Sequence, residues 1–171
     1  SLFEDGKKVS EVVYTYYPNG QIKKKINGLQ GKVTEWYESG QIKLAGNVKN
    51  DLKDGFMTMW YENGQIKIEG NLKNDLKDGL MTMWYESGQR RAEVNYQEGN
   101  PSGNYSSWFK NGQIKQKGNY EDGKLDGKMT VWYESGRIKE EGNFINGIKD
   151  GHWTYWYESG LKASEGFYKD N

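Results

Sequence analysis

Trp60-Tyr61-Glu62-Asn63-Gly64-Gln65-Ile66-Lys67 decides the fold, because it returns along nearly the whole chain. An aromatic pair, a short polar turn ending in glycine and a β-prone Gln-Ile-Lys follow one another. Successive copies open at Tyr16, Trp36, Trp60, Trp84, Trp108, Trp132 and Trp156; the first interval is 20 residues and the next five are 24. A period of this size marks a stacked array whose units are each too small to bury their own apolar surface. Residues 1–171 are therefore read as one repeat array.

Each unit holds two turns. The first keeps its glycine in all seven copies (Gly20, Gly40, Gly64, Gly88, Gly112, Gly136, Gly160). Such a glycine between two β-prone runs implies a positive φ in a hairpin loop. In the first copy Pro18 replaces the glutamate, and proline suits the first central position of a type I turn. The expectation is a three-residue loop with a left-handed glycine as a G1 bulge. With Glu62-Asn63-Gly64 as that loop, Trp60 is expected opposite Ile66, Thr58 opposite Ile68 and Phe56 opposite Gly70. One face would then carry Trp, Thr and Ile, and the other Met57, Met59 and Tyr61 across from Gln65, Lys67 and Glu69.

The second turn is expected within Asn71–Gly79. Glycine recurs five residues before the tryptophan (Gly31, Gly55, Gly79, Gly103, Gly127, Gly151) and ten after it (Gly46, Gly70, Gly118, Gly142, Gly166). Paired strands that bring these bare positions together would let a neighbouring Trp or Tyr ring lie over the backbone. No stretch keeps apolar residues at helical spacing, so essentially no helix is expected. The fold class read from these signals is all-β: an elongated, twisted, single-layer antiparallel sheet of tandem β-hairpins, roughly 13–14 strands of about 5–7 residues. Strands ~4.8 Å apart would set the tryptophans in a row about 10 Å apart.

Composition agrees. Only 34% of residues are hydrophobic, 15% are aromatic and 23 are glycine, with a mean hydropathy of −1.04. Disordered chains are poor in aromatics and carry net charge, whereas here 24 basic and 24 acidic residues cancel. That balance argues against nucleic acid as a partner; the basic tilt at Lys7, Lys8 and Lys23–Lys25 reads as a solvated strand face. Without cysteine there is no disulfide and no signal of redox compartment. No apolar run is long enough for a membrane span. The chain opens at Ser1 without methionine, which is compatible with a leader lost upstream and leaves the compartment open.

At this point the residues resemble MORN repeats, particularly the bacterial variant of that repeat. Gly142-Asn143-Phe144-Ile145-Asn146-Gly147-Ile148-Lys149-Asp150-Gly151-His152-Trp153-Thr154-Tyr155-Trp156 follows the family plan of aromatic strand, Asn-Gly turn and second aromatic strand. The likeness covers about residues 15–170. It implies a non-enzymatic scaffold for protein contact, and bacterial chains of this type are often labelled antitoxins, partners of a toxin. In eukaryotic relatives the repeats are associated with membranes and phosphoinositides, but this chain lacks the basic cluster that lipid headgroups want. A second likeness, to choline-binding cell-wall repeats, supplies the alternative: a surface module holding choline or glycan on rows of aromatic residues.

Repetition itself sorts sites from structure. Glu38, Glu62, Glu86, Glu134 and Glu158 recur at one turn position, as packing and turn residues do and as a catalytic pair does not. Asp54, Asp78, Asp126 and Asp150 each precede a glycine and read as caps of their own loop. His152, the sole histidine, stands where Phe56, Leu80 and Lys128 stand in other copies. No catalytic residue, cofactor or metal site is assigned. Departures from the pattern say more. In the copy from Gln89 to Ser107, Arg90 takes the isoleucine slot, Val94 the glycine slot, Ser102 the aspartate slot and Tyr105 the methionine slot. A bend in the ribbon is the favoured reading; the sharper one is a partner-binding patch of Arg90, Arg91, Tyr96 and Tyr105, beside the repeated face of Trp36, Trp60, Trp84, Trp108, Trp132 and Trp156. The last residues, Gly166–Asn171, stop where a further turn would begin. That open edge invites self-association unless charges such as Lys169 and Asp170 block it, or the chain is a piece of a longer one.

Overall fold

The computed structural model describes residues 2–4, 7–28 and 30–169, with side chains from residue 11 onward. Asp170 lies outside the described residues. A small hairpin comes first, β1 (Leu2–Glu4) with β2 (Lys7–Ser10). The main sheet begins with β3 (Val12–Tyr16), β4 (Ile22–Asn27), β5 (Lys32–Trp36), β6 (Ile42–Lys49) and β7 (Leu52–Trp60). It continues with β8 (Ile66–Lys73), β9 (Leu76–Trp84), β10 (Arg90–Gln97), β11 (Asn100–Trp108) and β12 (Ile114–Glu121). It ends with β13 (Lys124–Leu125), β14 (Gly127–Trp132), β15 (Ile138–Ile145), β16 (Ile148–Trp156) and β17 (Lys162–Tyr168). These 15 strands form one open antiparallel sheet in sequence order, with β13 set beside β12, and no described residue is helical. The N-terminal residues divide into the separate β1–β2 hairpin and the edge strand β3.

Two kinds of hairpin alternate along the sheet. At the aromatic edge the expected three-residue loop is present. Tyr61 N–H donates to Gln65 O (2.8 Å), Gly64 N–H to Tyr61 O (3.0 Å), and Gly64 has φ +85°. At the other edge the turns are shorter than the sequence suggested. Only two residues turn: Asn50-Asp51, Asn74-Asp75, Glu98-Gly99, Asp122-Gly123 and Asn146-Gly147, all at positive φ as a type I′ hairpin requires.

The register departs from expectation after one residue. Trp60 pairs with Ile66, but the next pair is Met59 with Ile68, then Thr58 with Glu69, Met57 with Gly70 and Phe56 with Asn71. Lys67 is skipped as a bulge. The slip occurs beside Tyr16, Trp36, Trp60, Trp108, Trp132 and Trp156 and beside Arg90, so the skipped residues are Lys23, Lys43, Lys67, Arg91, Lys115, Lys139 and Ala163. A bulge re-aims its side chain and sharpens the local twist. The second bulge in each unit is larger: between Gly70↔Met81 and Leu72↔Lys77, Asn71 alone faces Asp78, Gly79 and Leu80. The strand with the extra residues must bend, and the middle one is a glycine at positive φ at Gly55, Gly79 and Gly103, whereas in β16 the glycine, Gly151, is the first of the three.

These slips fix two faces. One, called inner here, carries every buried hydrophobic side chain of the sheet: Val33, Leu44, Val48, Met57, Met81, Ala92, Val94, Met129 and Trp153. Val33, Leu44, Val48 and Met57 form one cluster, with Ile26, Met59 and Leu72 packed against it. The outer face carries Trp60 with Ile66, Thr58 with Glu69 and Phe56 with Asn71. No second layer covers the inner face, so shelter comes from the next hairpin. The glycines ten residues after the tryptophan do receive a large side chain, as expected, but not the tryptophan or tyrosine of the repeat's aromatic pair. A Cβ on Gly46, Gly70 or Gly118 would meet the sulfur of Met57, Met81 or Met129, and one on Gly142 the ring of Trp153. The matching position on β17, Gly166, has nothing within 4 Å.

This contrast makes a prediction. Gly142→Ala should destabilise the protein by about 1–3 kcal/mol through overpacking against Trp153, whereas Gly166→Ala should shift it by less than about 0.5 kcal/mol. Urea unfolding of the two variants distinguishes them; equal losses would refute the shelter argument.

Candidate functional site

The aromatic pair divides between the faces because adjacent strand residues point to opposite sides. Its tyrosine lies inside, and in five copies the hydroxyl bonds to the next unit. Tyr17 Oη donates to the Trp36 carbonyl at 2.8 Å, Tyr37 to Trp60 at 2.8 Å and Tyr61 to Trp84 at 2.9 Å; Tyr85 reaches Trp108 at 2.8 Å and Tyr133 reaches Trp156 at 2.7 Å. Each bond ties one unit to the next. Phe109 interrupts the series, since it has no hydroxyl to offer Trp132. The bulged lysine then covers the ring: Lys23, Lys43, Lys67 and Lys139 place their ammonium 5.3–5.7 Å from the centroids of Tyr17, Tyr37, Tyr61 and Tyr133, and Lys115 does so over Phe109. Cation–π attraction contributes to each pair.

The loops and tips are similarly engaged. Asn63 accepts Gln65 N–H (3.0 Å) and donates to the Glu86 carbonyl (2.9 Å), and Asn111 does the same with Gln113 (2.9 Å) and Glu134 (3.0 Å). Asp54 and Asp126 cap a turn, but not their own: they accept the N–H of Asn74 (3.4 Å) and Asn146 (3.1 Å) in the following hairpin. The repeated turn glutamates are exposed.

Near the last strand three aromatic rings gather around one ammonium group. The Lys149 ammonium sits 3.9 Å from the Trp153 ring centroid, 5.1 Å from Tyr155 and 5.7 Å from Tyr168. It donates to Tyr155 Oη (3.0 Å) and Glu140 Oε2 (3.3 Å), while Trp153 Nε1 donates to the Asn143 carbonyl (3.0 Å). This is an aromatic cage whose cation belongs to the chain itself.

The outer face is treated differently. Its tryptophans are half-buried, and beside them Ile42 and Ile138 are 45% and 37% exposed. A shallow pocket of about 530 Å³ lies between Ile42 and Trp60, floored by the loop residues Gly40, Gln41, Asn63 and Gly64. On the far side of the threonine row, Phe56 and Leu80 are 50% and 47% exposed. His152 and Lys128 occupy the same exposed row, which explains why that slot accepts any residue.

The four singled-out residues of the odd copy divide between the faces. Arg90 pairs with Trp84 on the outer side, its guanidinium 5.5 Å from the Trp108 ring and 3.1 Å from Glu93. Arg91 is the bulged residue, and its guanidinium lies 3.7 Å from Met83 Sδ on the inner side. Tyr96 and Tyr105 are also inside: Lys77 lies over the Tyr96 ring (4.4 Å), and Tyr105 meets Tyr120 edge-on (5.8 Å) and donates to Gln116 (3.0 Å). Tyr120, which the sequence reading overlooked, completes an inner tyrosine cluster that excludes Arg90. The unit also redistributes volume: Val94 adds bulk where five copies have glycine, while Ala92 and Ser107 are small at the slots of Ile68 and Met59.

Burial raises the pKa of Tyr37, helped by the charges of Glu62 and Glu86, and raises that of Tyr120, helped by Tyr105 and Tyr96. Burial pulls Lys149 down, but its hydrogen bond to Tyr155 and the Glu140 carboxylate outweigh this and leave it raised.

One open sheet of like hairpins, each unit hydrogen-bonded and packed only on its neighbours, defines a tandem β-hairpin repeat protein. The MORN repeat variant matches the chain seven times, over residues 12–28, 29–50, 53–74, 77–98, 101–122, 125–146 and 149–170. The chain belongs to that family. Among curated proteins none matches it in sequence.

Two predictions follow the tyrosine chemistry. Tyr61→Phe should lose about 0.5–1.5 kcal/mol, and Phe109→Tyr should gain a similar amount by reaching Trp132; urea midpoints measure both, and an unchanged pair would dismiss the hydroxyl series as a stabilising device. The second concerns alkali. Tyr37, Tyr120 and Lys149 titrate higher in the fold than in the unfolded chain, so their stabilisation is complete below the ordinary values and lost as pH rises through the shifted ones. Unfolding free energy should therefore hold steady from about pH 7 to 9 and fall above about pH 10; constancy through pH 11 would contradict this.

Proposed function

We propose that the array is a non-enzymatic protein-interaction scaffold that receives an extended protein segment on its outer face. The supporting observation is the asymmetry of the two faces. Inside, tyrosine hydroxyls, lysine ammoniums and methionine sulfurs are engaged within the chain. Outside, the Trp–Ile row, its 530 Å³ pocket and the row of Phe56 and Leu80 present apolar surface at a regular repeat. Repeats of this family often mediate protein binding. An outer-face tryptophan that recurs every two strands suits a partner in extended conformation running along the array. Within this reading the finer proposal is an antitoxin-like role, in which the outer face masks a toxin encoded nearby.

The choline or glycan alternative draws less support. The best-formed cation cage already holds Lys149, and the repeated tyrosine rings hold their own lysines. A quaternary ammonium would have to displace tethered groups, which act at high effective concentration.

The test is co-expression with the products of adjacent genes. Phe56→Glu and Leu80→Glu alter exposed positions, and both are expected to weaken capture of such a partner at least about tenfold, with the melting temperature unchanged. Capture insensitive to both, or quenching of tryptophan fluorescence by choline without any protein partner, would overturn the proposal.

A further inference from the structure

The seven tryptophans divide into two kinds by what the indole N–H does. Trp153 donates to the Asn143 carbonyl at 3.0 Å. Trp36, Trp60, Trp84, Trp108, Trp132 and Trp156, all on the outer face, donate to nothing among the described residues. None of these six N–H groups is sealed from water, since among the described residues Ser107 Oγ is the one buried side-chain atom without a partner. They form a row of free donors on half-buried rings. Successive tryptophans stand two strands apart in the sheet, a spacing of ~9.6 Å. Exposed carboxylates accompany the first three: Glu38, Glu62 and Glu86 each follow a tryptophan by two residues, and none is in an ion pair among the described residues. The row changes at the fourth. Arg90 lays its guanidinium 5.5 Å from the Trp108 ring, and Lys110 takes the place of the glutamate.

A ligand for such a row must offer unpaired acceptors at the same rhythm. A polyproline II helix does. It has three residues per turn and rises about 3.1 Å per residue, so one edge repeats every ~9.3 Å, and it makes no internal hydrogen bonds, which leaves every carbonyl open. Its mismatch with the row is only ~0.3 Å per turn. A β-strand presents the same side every ~6.6 Å and falls into step only at every second tryptophan. An α-helix returns to the same side after seven residues, ~10.5 Å, and drifts by ~0.9 Å per tryptophan with its carbonyls already paired. We propose that Trp36, Trp60 and Trp84 bind a polyproline II segment of a partner protein. Its three-residue repeat sets proline against each ring, one carbonyl on each indole N–H, and arginine or lysine toward Glu38, Glu62 and Glu86. This rests on the outer face being a protein-binding face and names the conformation that the face reads. Proline suits it because its fixed φ lowers the entropy lost on binding, and because aromatic grooves take such segments preformed. Arg90 and Lys110 end the segment at Trp84, the first by covering the next ring and the second by repelling basic residues.

NMR titration of the isotope-labelled protein with peptides of two, three and four Arg-Pro-Pro triplets tests this. The indole N–H signals of Trp36, Trp60 and Trp84 should move downfield, while that of Trp153, already bonded within the chain, stays in place. The third triplet should tighten binding about three- to tenfold, the yield of one net hydrogen bond, and the fourth should add little. Replacing Arg90→Ile together with Lys110→Glu restores the residue types of the other copies; the fourth triplet should then bring a similar gain and move the Trp108 signal. Peptides of Arg-Gly-Gly triplets carry the same charge but must be ordered on binding, so they should bind at least about tenfold more weakly. Indole signals that ignore every Arg-Pro-Pro peptide, equal binding of the glycine series, or a stronger response to a helical arginine peptide would each overturn the proposal. If a neighbouring gene product is captured through Phe56 and Leu80 while the indole signals ignore the peptides, the protein-binding reading stands and the polyproline partner falls.

Discussion

The structure depends on one steric pairing: a bare glycine on one strand against a large side chain on the next. A single sheet has no opposite layer to close a core, so burial must come from sideways neighbours. Met57 over Gly46 and Trp153 over Gly142 achieve it, reaching 4% and 1% exposure on a face that nothing else covers. Such pairing works only in one register. A slip of one residue would move the glycine to the outer face and set two large side chains against each other. Stability is accordingly a property of junctions between units, as in other linear arrays, and the tyrosine-to-carbonyl bonds run across the same junctions.

Register in turn is set by bulges. The skipped residue beside Tyr16, Trp36, Trp60 and Trp132 brings a lysine back over the tyrosine ring, so a chain with 24 lysines and arginines uses several of them as covers for its inner face. The larger bulge at Gly55, Gly79, Gly103 and Gly151 bends the returning strand, and the backbone of each tip binds the preceding hairpin, as Asp75 N–H does to Lys53 O at 2.9 Å. Together these devices engage the tyrosines and lysines of the inner side, though not Ser107 Oγ, which is buried without a partner, and leave the outer side free to vary.

Much of this could be read from the residues, for physical reasons. A loop glycine that never changes, with proline admitted at the first central position, permits few turn types, and the three-residue loop follows. Strand order follows from short connections. The slip at Lys67 was hidden because a lysine fits a half-exposed strand as well as a bulge; the one signal was its recurrence as Lys23, Lys43, Arg91, Lys115 and Lys139. Missing it exchanged the partners of Met59 and Thr58 and grouped Arg90 with Tyr96 and Tyr105, when a bulge between Arg90 and Ala92 sends them to opposite faces. Asp54 looked like a cap of its own loop because capping partners are near in sequence more often than 20 residues away.

The odd copy shows how far the pairing rule can be stretched. Val94 stands where five copies have glycine and the first has Ile26, between Met81 on one side and Tyr105 on the other. The extra volume is tolerated because two neighbouring slots shrink, to Ala92 and Ser107, and because Tyr105 turns its ring edge toward Tyr120 on the far side. What the array conserves is therefore the summed volume across a few adjacent strands, not the identity of any slot. Outer-face residues enter no such sum, which is why the slot of Phe56 and Leu80 can hold lysine or histidine elsewhere. A repeat of this design can alter what it presents to a partner without renegotiating its fold.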